Sequence, residues 1–349
     1  MNSNPLPVNL SRLGGCTLTG ALSVTSRIRD AATIVHGPKG CSHHNFSLLH
    51  ATWLENDEIL LPDLVSTGLS EQDIVFGGES ALRQALVKAA SRNVKAIFVL
   101  STCIVETIGD DVEAVCEQEY GIPVIPVPTA GFLGGTFQDG MNNALIALAG
   151  IAEPGTRIPG NVSGVNIIGE MNLEYEVEEN YAEVARLLHG LGLPVAVRFV
   201  HDIPFDRISR LGESQLNILR NPALLPVGKY LEERFGTPFI ASFPHGMTDT
   251  LVFIESVARH CGIDGHGAVE RERTLQAEMV AAFGDLHGAH AAFDNPWPGH
   301  EGLAAAEELA EALGLYHGDT SDVWLPVSPA VGTAGLRRML HRWRRAIHA

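Results

Sequence analysis

Among 349 residues, no uninterrupted apolar stretch approaches the roughly 20 residues needed to cross a bilayer. The opening segment, MNSNPLPVNLSRLGG, lacks the charged start and apolar centre of a secretory signal, so a cytoplasmic location is expected. No G-x-x-x-x-G-K-[ST] occurs, which excludes ATP hydrolysis on a P-loop of this chain. No G-x-G-x-x-G follows a strand-like run either; GHGAVE (265–270) lacks both the last glycine and the strand, so dinucleotide binding has little support. A G-x-S-x-G elbow is absent. None of the five cysteines stands in a C-x-x-C pair, which argues against a zinc ribbon or a thioredoxin-type motif. Positive charge is scarce: 24 Lys and Arg against 41 Asp and Glu leave a net charge of −17, unsuited to nucleic acid or an anionic membrane as main partner. Basic residues gather only at the end, in RRMLHRWRRAIHA (337–349), a solvated last helix or a contact for an acidic partner.

The composition that remains, 45% apolar and 19% charged, is that of a globular chain, and the length implies two or three domains. Apolar runs (AATIVHG, VKAIFVLS, IPVIPVP, GVNIIGE, LPVAVRFV, TPFIASFP) alternate with stretches of helical periodicity at 79–91, 110–120, 177–190 and 249–260. Such alternation predicts an α/β fold with parallel sheets and helices on both faces. Breaks rich in Pro, Gly and polar residues near 152–164 and 260–270 divide the chain into three Rossmann-like domains, 1–157, 158–262 and a short, poorly patterned 263–349.

In open parallel sheets, ligands gather at the carboxyl ends of strands. His36 and Cys41 follow the first strand, Cys103 the second, and Glu170, His201 and His245 follow later ones. HGPKGCSHH (36–44) reads as a stiff turn, with Gly37 and Gly40 permitting it and Pro38 pre-ordering it. Cys16, Cys41 and Cys103 lie in Gly-rich, loop-like contexts. They are either three buried thiols acting as small hydrophobes or ligands of an iron–sulfur cluster. Cys116 and Cys261 sit in helical patterns and read as core. The acids of STCIVETIGDD (101–111) include Glu106, and Asp110 and Asp111 read as helix N-caps. His43, His44 and His245 are candidate proton donors or carboxylate partners, since imidazoles exchange protons near neutral pH.

The ordered motifs GGCTLTGAL, IVHGPKGC, VFGGE and STCIVETIGDDVEAV, followed by VNIIGEMN and FPHGMTDTLVFI, resemble the nitrogenase component 1 superfamily over residues 14–260. The resemblance implies that Cys16, Cys41 and Cys103 bind an iron–sulfur cluster, 4Fe–4S or larger, at the interface between two subunits. It also implies a partner iron protein that hydrolyses ATP and passes electrons to that cluster. Within the superfamily, HHNFSLLH (43–50) and the compact length resemble the homodimeric branch that reductively cyclises nickel-sirohydrochlorin a,c-diamide towards coenzyme F-430. Rivals are a protochlorophyllide-type tetrapyrrole reductase and a scaffold that assembles a metallocluster. A homodimer would offer six thiolates. Two could then stand free, the cluster could be larger than four irons, or each subunit could hold its own.

Overall fold

The computed structural model describes residues 15–129, 131–132, 135–153, 164–174, 176–294, 302–318 and 323–349. The first sheet is built from β1 (Ala31–His36), β2 (Leu64–Ser66), β3 (Ala96–Ser101) and β4 (Val124–Val127), in the order β2-β1-β3-β4 with all pairs parallel. All six residues of β1 and of β3 are buried, as expected of central strands covered on both faces. The second sheet combines β5 (Val165–Ile168), β6 (Val195–Phe199), β7 (Leu216–Leu219) and β8 (Phe239–Ile240) in the order β6-β5-β7-β8. The third is short: β9 (His290–Asp294) lies between β10 (Tyr316–His317) and β11 (Trp324–Pro326), parallel to both. The α/β class with parallel sheets is the one that the strand–helix alternation predicts.

The chain divides into two compact units. One comprises Ser11–Tyr175 and Ala196–Phe239. Its first sheet is covered by the Glu79–Ala90 helix, which buries Leu82, Ala85, Leu86 and Ala89 at three- and four-residue spacing. These meet Ile34, Ile97, Val99 and Val115 in one core, where each fully buried aliphatic chain contributes about 1.5–3 kcal/mol. The other unit comprises Glu176–Val195 and Ile240–Ala349. It is built round Met279, Leu309, Leu336, Leu340 and Trp343; the Trp343 indole is fully buried and donates to the Pro326 carbonyl at 2.9 Å. Among the described residues, no helix is long and apolar enough to cross a membrane.

Candidate functional site

β1 and β3 are hydrogen-bonded neighbours that end in register, His36 opposite Ser101, so whatever follows the two strands must meet. The Thr102 amide donates to the His36 carbonyl at 2.9 Å and extends the ladder by one step. Beyond His36 the expected turn is far shorter than the sequence suggests. Pro38 is already an N-cap (φ −64°, ψ 150°), and Lys39–Glu55 is one continuous helix. Cys41, His43 and His44 therefore stand on a helix and not in a loop. Gly37 is required by contact, because a β-carbon there would lie 2.1 Å from Thr102 Oγ1. Gly40 is not required: a β-carbon would meet nothing within 4 Å, and its backbone is helical.

Cys103 is the first residue of the Cys103–Ile108 helix, directly after β3 and Thr102. Cys16 caps the Thr17–Thr25 helix, every residue of which is buried. That helix crosses Phe137–Ile151 at backbone distance: a β-carbon on Gly20 would lie 1.9 Å from the Phe137 carbonyl oxygen, and one on Gly140 1.8 Å from that of Thr17. Two glycines thus seat Cys16 beside the end of the first sheet.

The three thiols converge. A β-carbon at Gly131 would lie 3.3 Å from Cys103 Sγ, 3.3 Å from Thr17 Oγ1 and 3.9 Å from Cys16 Cβ. Burial, and then the neighbouring Cys16 and Cys103 thiols, hold the Cys41 thiol above its ordinary range. Cys16 is exposed, Cys41 and Cys103 half-buried, and Cys16 Sγ lies 3.7 Å from Thr19 Oγ1. All three cysteines stand in the first turn of a helix or at its cap, where free amides favour negative charge on sulfur. No group of three or more His, Cys, Asp or Glu among the described residues closes round a single metal ion. Thiolates on one tetrahedral ion sit about 2.3 Å from it and so crowd together, whereas each thiolate of a cluster binds its own iron. Three cysteines brought together are a donor set that suits a cluster, and the buried Thr17 hydroxyl, which has no hydrogen-bond partner among the described residues, lies beside Gly131 as Cys103 Sγ does.

The other candidates separate. His43 and His44 are exposed on the Lys39–Glu55 helix within one turn of Cys41. His245 belongs to the other unit, where it caps the Gly246–Cys261 helix, bridges Val331 and packs its ring 5.5 Å from Phe243. His36 is fully buried: Nδ1 lies 3.1 Å from Thr67 Oγ1 and Nε2 3.2 Å from Asp110 Oδ2. Burial lowers its pKa despite the opposing pull of Asp110 and Asp73, so the ring is held neutral. Glu170 pairs with Arg198 at 3.1 Å, and His201 Nδ1 lies 2.6 Å from Asn172 Oδ1. Cys116 is core, its thiol pushed up to about 12 by burial; burial likewise takes the half-buried Cys261 to about 11.

Asp110 corrects the sequence reading. Only Asp111 caps a helix, accepting from the Ala114 amide at 3.0 Å. Asp110 instead accepts from the Gly78 amide (2.9 and 3.0 Å) while facing His36, so it ties VFGGE, HGPKGC and GDD together behind the thiols. The clue lay in the doublet, since one helix start cannot use two adjacent acids in the same way.

The profile of the family described as Nitrogenase component 1 type Oxidoreductase matches residues 16–293. A nitrogenase iron-molybdenum cofactor biosynthesis protein NifE of Clostridium pasteurianum is 35% identical over 242 residues, 67% of this chain and 51% of that one. Its namesake in Nostoc sp. is 33% identical over 77% of this chain and 55% of its own. The nitrogenase molybdenum-iron protein alpha chain of Methanococcus maripaludis is 28% identical over 80% of this chain and 60% of its own. The chain thus spans about half the length of the curated relatives it matches. Among solved structures, nitrogenase Cp1 at pH 6.5 superposes with a TM-score of 0.67 at 22% identity, covering 90% of this chain and 62% of that one.

Proposed function

The chain belongs to the nitrogenase component 1 type oxidoreductases, and from that premise we propose that Cys16, Cys41 and Cys103 hold an iron–sulfur cluster through which it takes up electrons. The observation that carries the reading is the meeting of the three thiols, each at a helix start. Such a cluster, when bound, supplies one-electron transfer. The chain's own part is to release three thiol protons, fix the sulfurs from three rigid helices, and hold negative charge against free helix amides. In this reading an ATP-hydrolysing iron protein delivers the electrons, as the family membership implies.

A second copy of the chain covers the cluster in this reading. Cys16 is exposed, and so are Val75 (72%) and Phe76 (86%) on the Glu71–Phe76 helix that packs against Cys103–Ile108. Phe132, 78% exposed, follows Gly131. Large apolar side chains around half-exposed thiols favour a covered face over a bare one.

For the use of the electrons, metallocofactor assembly has the stronger support, because the relatives at 30–35% identity are named for iron-molybdenum cofactor biosynthesis. The second reading is reductive cyclisation of nickel-sirohydrochlorin a,c-diamide. It is favoured by exposed His43 and His44 beside Cys41, whose ring nitrogens would return protons to a reduced macrocycle.

The test is anaerobic purification with iron and sulfide analysis and an EPR spectrum of the reduced form, beside Cys41→Ala. A signal lost in the variant supports the cluster; absence of iron, or iron indifferent to the substitution, sinks it. Reduction of the nickel tetrapyrrole with iron protein and ATP, and its loss in His43→Ala or His44→Ala at unchanged iron content, would select the second reading over the first.

A further inference from the structure

Thr17 follows Cys16 and opens a wholly buried helix. Its side chain is 2% exposed, and its hydroxyl has no hydrogen-bond partner among the described residues. A buried hydroxyl left in that state is destabilising, and such groups in folded proteins are almost always satisfied. The orphan does not point into apolar core. Thr17 Oγ1 and Cys103 Sγ lie 3.3 Å from the same point, that of a β-carbon at Gly131, with Cys16 Cβ 3.9 Å from it. A side chain at residue 131 would press on both the Thr17 hydroxyl and the Cys103 sulfur. The neighbouring hydroxyl of Thr19, also 2% exposed, already lies within sulfur hydrogen-bond distance of Cys16, at 3.7 Å.

We infer that the Thr17 hydroxyl is a positioning and tuning donor to the sulfur site: it gives its hydrogen bond to a thiolate or sulfide of the bound cluster. The inference rests on the cluster reading above. Without the cluster, the hydroxyl is a stored cost; with thiolate sulfur in the site, it gains an acceptor that a neutral thiol supplies only weakly. A hydrogen bond to cluster sulfur stabilises the more negative, reduced form, so it raises the reduction potential. Thr17 needs no proton exchange for this role and does not touch substrate.

The measurement is the midpoint potential of the cluster by redox titration followed by EPR, on the full chain purified without oxygen. Thr17→Val keeps the shape and removes the donor; Thr17→Ser keeps the donor and removes a methyl. The expected result is iron and sulfide content unchanged in both, a more negative midpoint in Thr17→Val, and a wild-type midpoint in Thr17→Ser. Thr17→Ala, which also lacks the hydroxyl, should shift in the same direction as valine. A wild-type midpoint in Thr17→Val overturns the inference while the cluster reading stands. A shift of equal size in Thr17→Ser also overturns it, because packing alone would then account for the change. Absence of iron from the wild-type chain defeats the cluster reading itself and is seen before any variant is compared.

Discussion

Two glycines three residues apart, Gly37 and Gly40, look alike in HGPKGC and differ in what they do. Gly37→Ala drives a methyl into Thr102, the residue that precedes Cys103, so it should lower both stability and iron retention. Gly40→Ala enters open space in a helix and should raise stability by about 0.5–1 kcal/mol while leaving iron content unchanged. Iron analysis with denaturant unfolding of the two variants checks both. His36 carries a pH dependence of definite sign. Its folded pKa lies below the ordinary 6.5, so the unfolded chain binds more protons there. Its contribution to stability is complete above pH 6.5 and declines as the pH falls towards the lowered folded value. Asp110 and Asp73, the charged groups that pull the ring the other way, moderate the decline without reversing it. His36→Asn should flatten the acid limb of stability against pH between 7 and 5.5 relative to wild type. Unchanged slopes would mean that the ring titrates alike in the folded and unfolded chain, and a steeper limb in the variant would mean that the folded ring is charged.

Helix ends are the recurrent device at the scale of elements. In the unit bearing the thiols, three of them present cysteine. In the other unit, the Gly246–Cys261 helix is capped from outside: Glu308, on the Leu303–Leu313 helix, accepts from the amides of Met247 (2.7 Å) and Thr248 (2.8 Å) and from the Thr248 hydroxyl. One carboxylate thus serves as the cap that His245 does not provide through its side chain. The same charge, after burial, helps to raise the pKa of Asp249. Glu308→Ala should therefore cost about 1–2 kcal/mol in chemical denaturation, at the scale of a lost cap. Glu308→Gln, which keeps an acceptor, should cost less. A cost below the error of the measurement would show the cap to be idle.

For the molecule as a whole, a cluster held only by the folded chain must add to its stability by mass action. Removal of iron by an anaerobic chelator should lower the thermal midpoint of the wild type. Cys41→Ala should begin at the lower midpoint and not respond to the chelator. Equal responses of the two would place the iron elsewhere. The net charge of −17 acts at this scale too, since self-repulsion keeps such a chain dispersed and suits docking on a basic face.

The parallel α/β class and the central strands β1 and β3 were legible in the sequence, because buried strands read as continuous apolar runs; Cys16, Cys41 and Cys103 stood out there by their glycine-rich contexts. The third sheet was not legible: its strands are two, three and five residues long, too short for a period to register. The helix that carries Cys41 was hidden behind Gly-Pro-Lys-Gly, which looks like a turn although proline and glycine are both tolerated at a helix start. The doublet hinted that Asp110 and Asp111 differ, but the partners of Asp110 could not be read, since Gly78 and His36 stand 32 and 74 residues away. Nor could Thr17 be singled out, because an unpaired hydroxyl is defined by what surrounds it. Sequence, then, determined which groups the chain owns and which segments become strands. Only the in-register ending of β1 and β3, and the glycine crossing that seats Cys16 beside them, decided that three thiols 25 and 62 residues apart should come near one another.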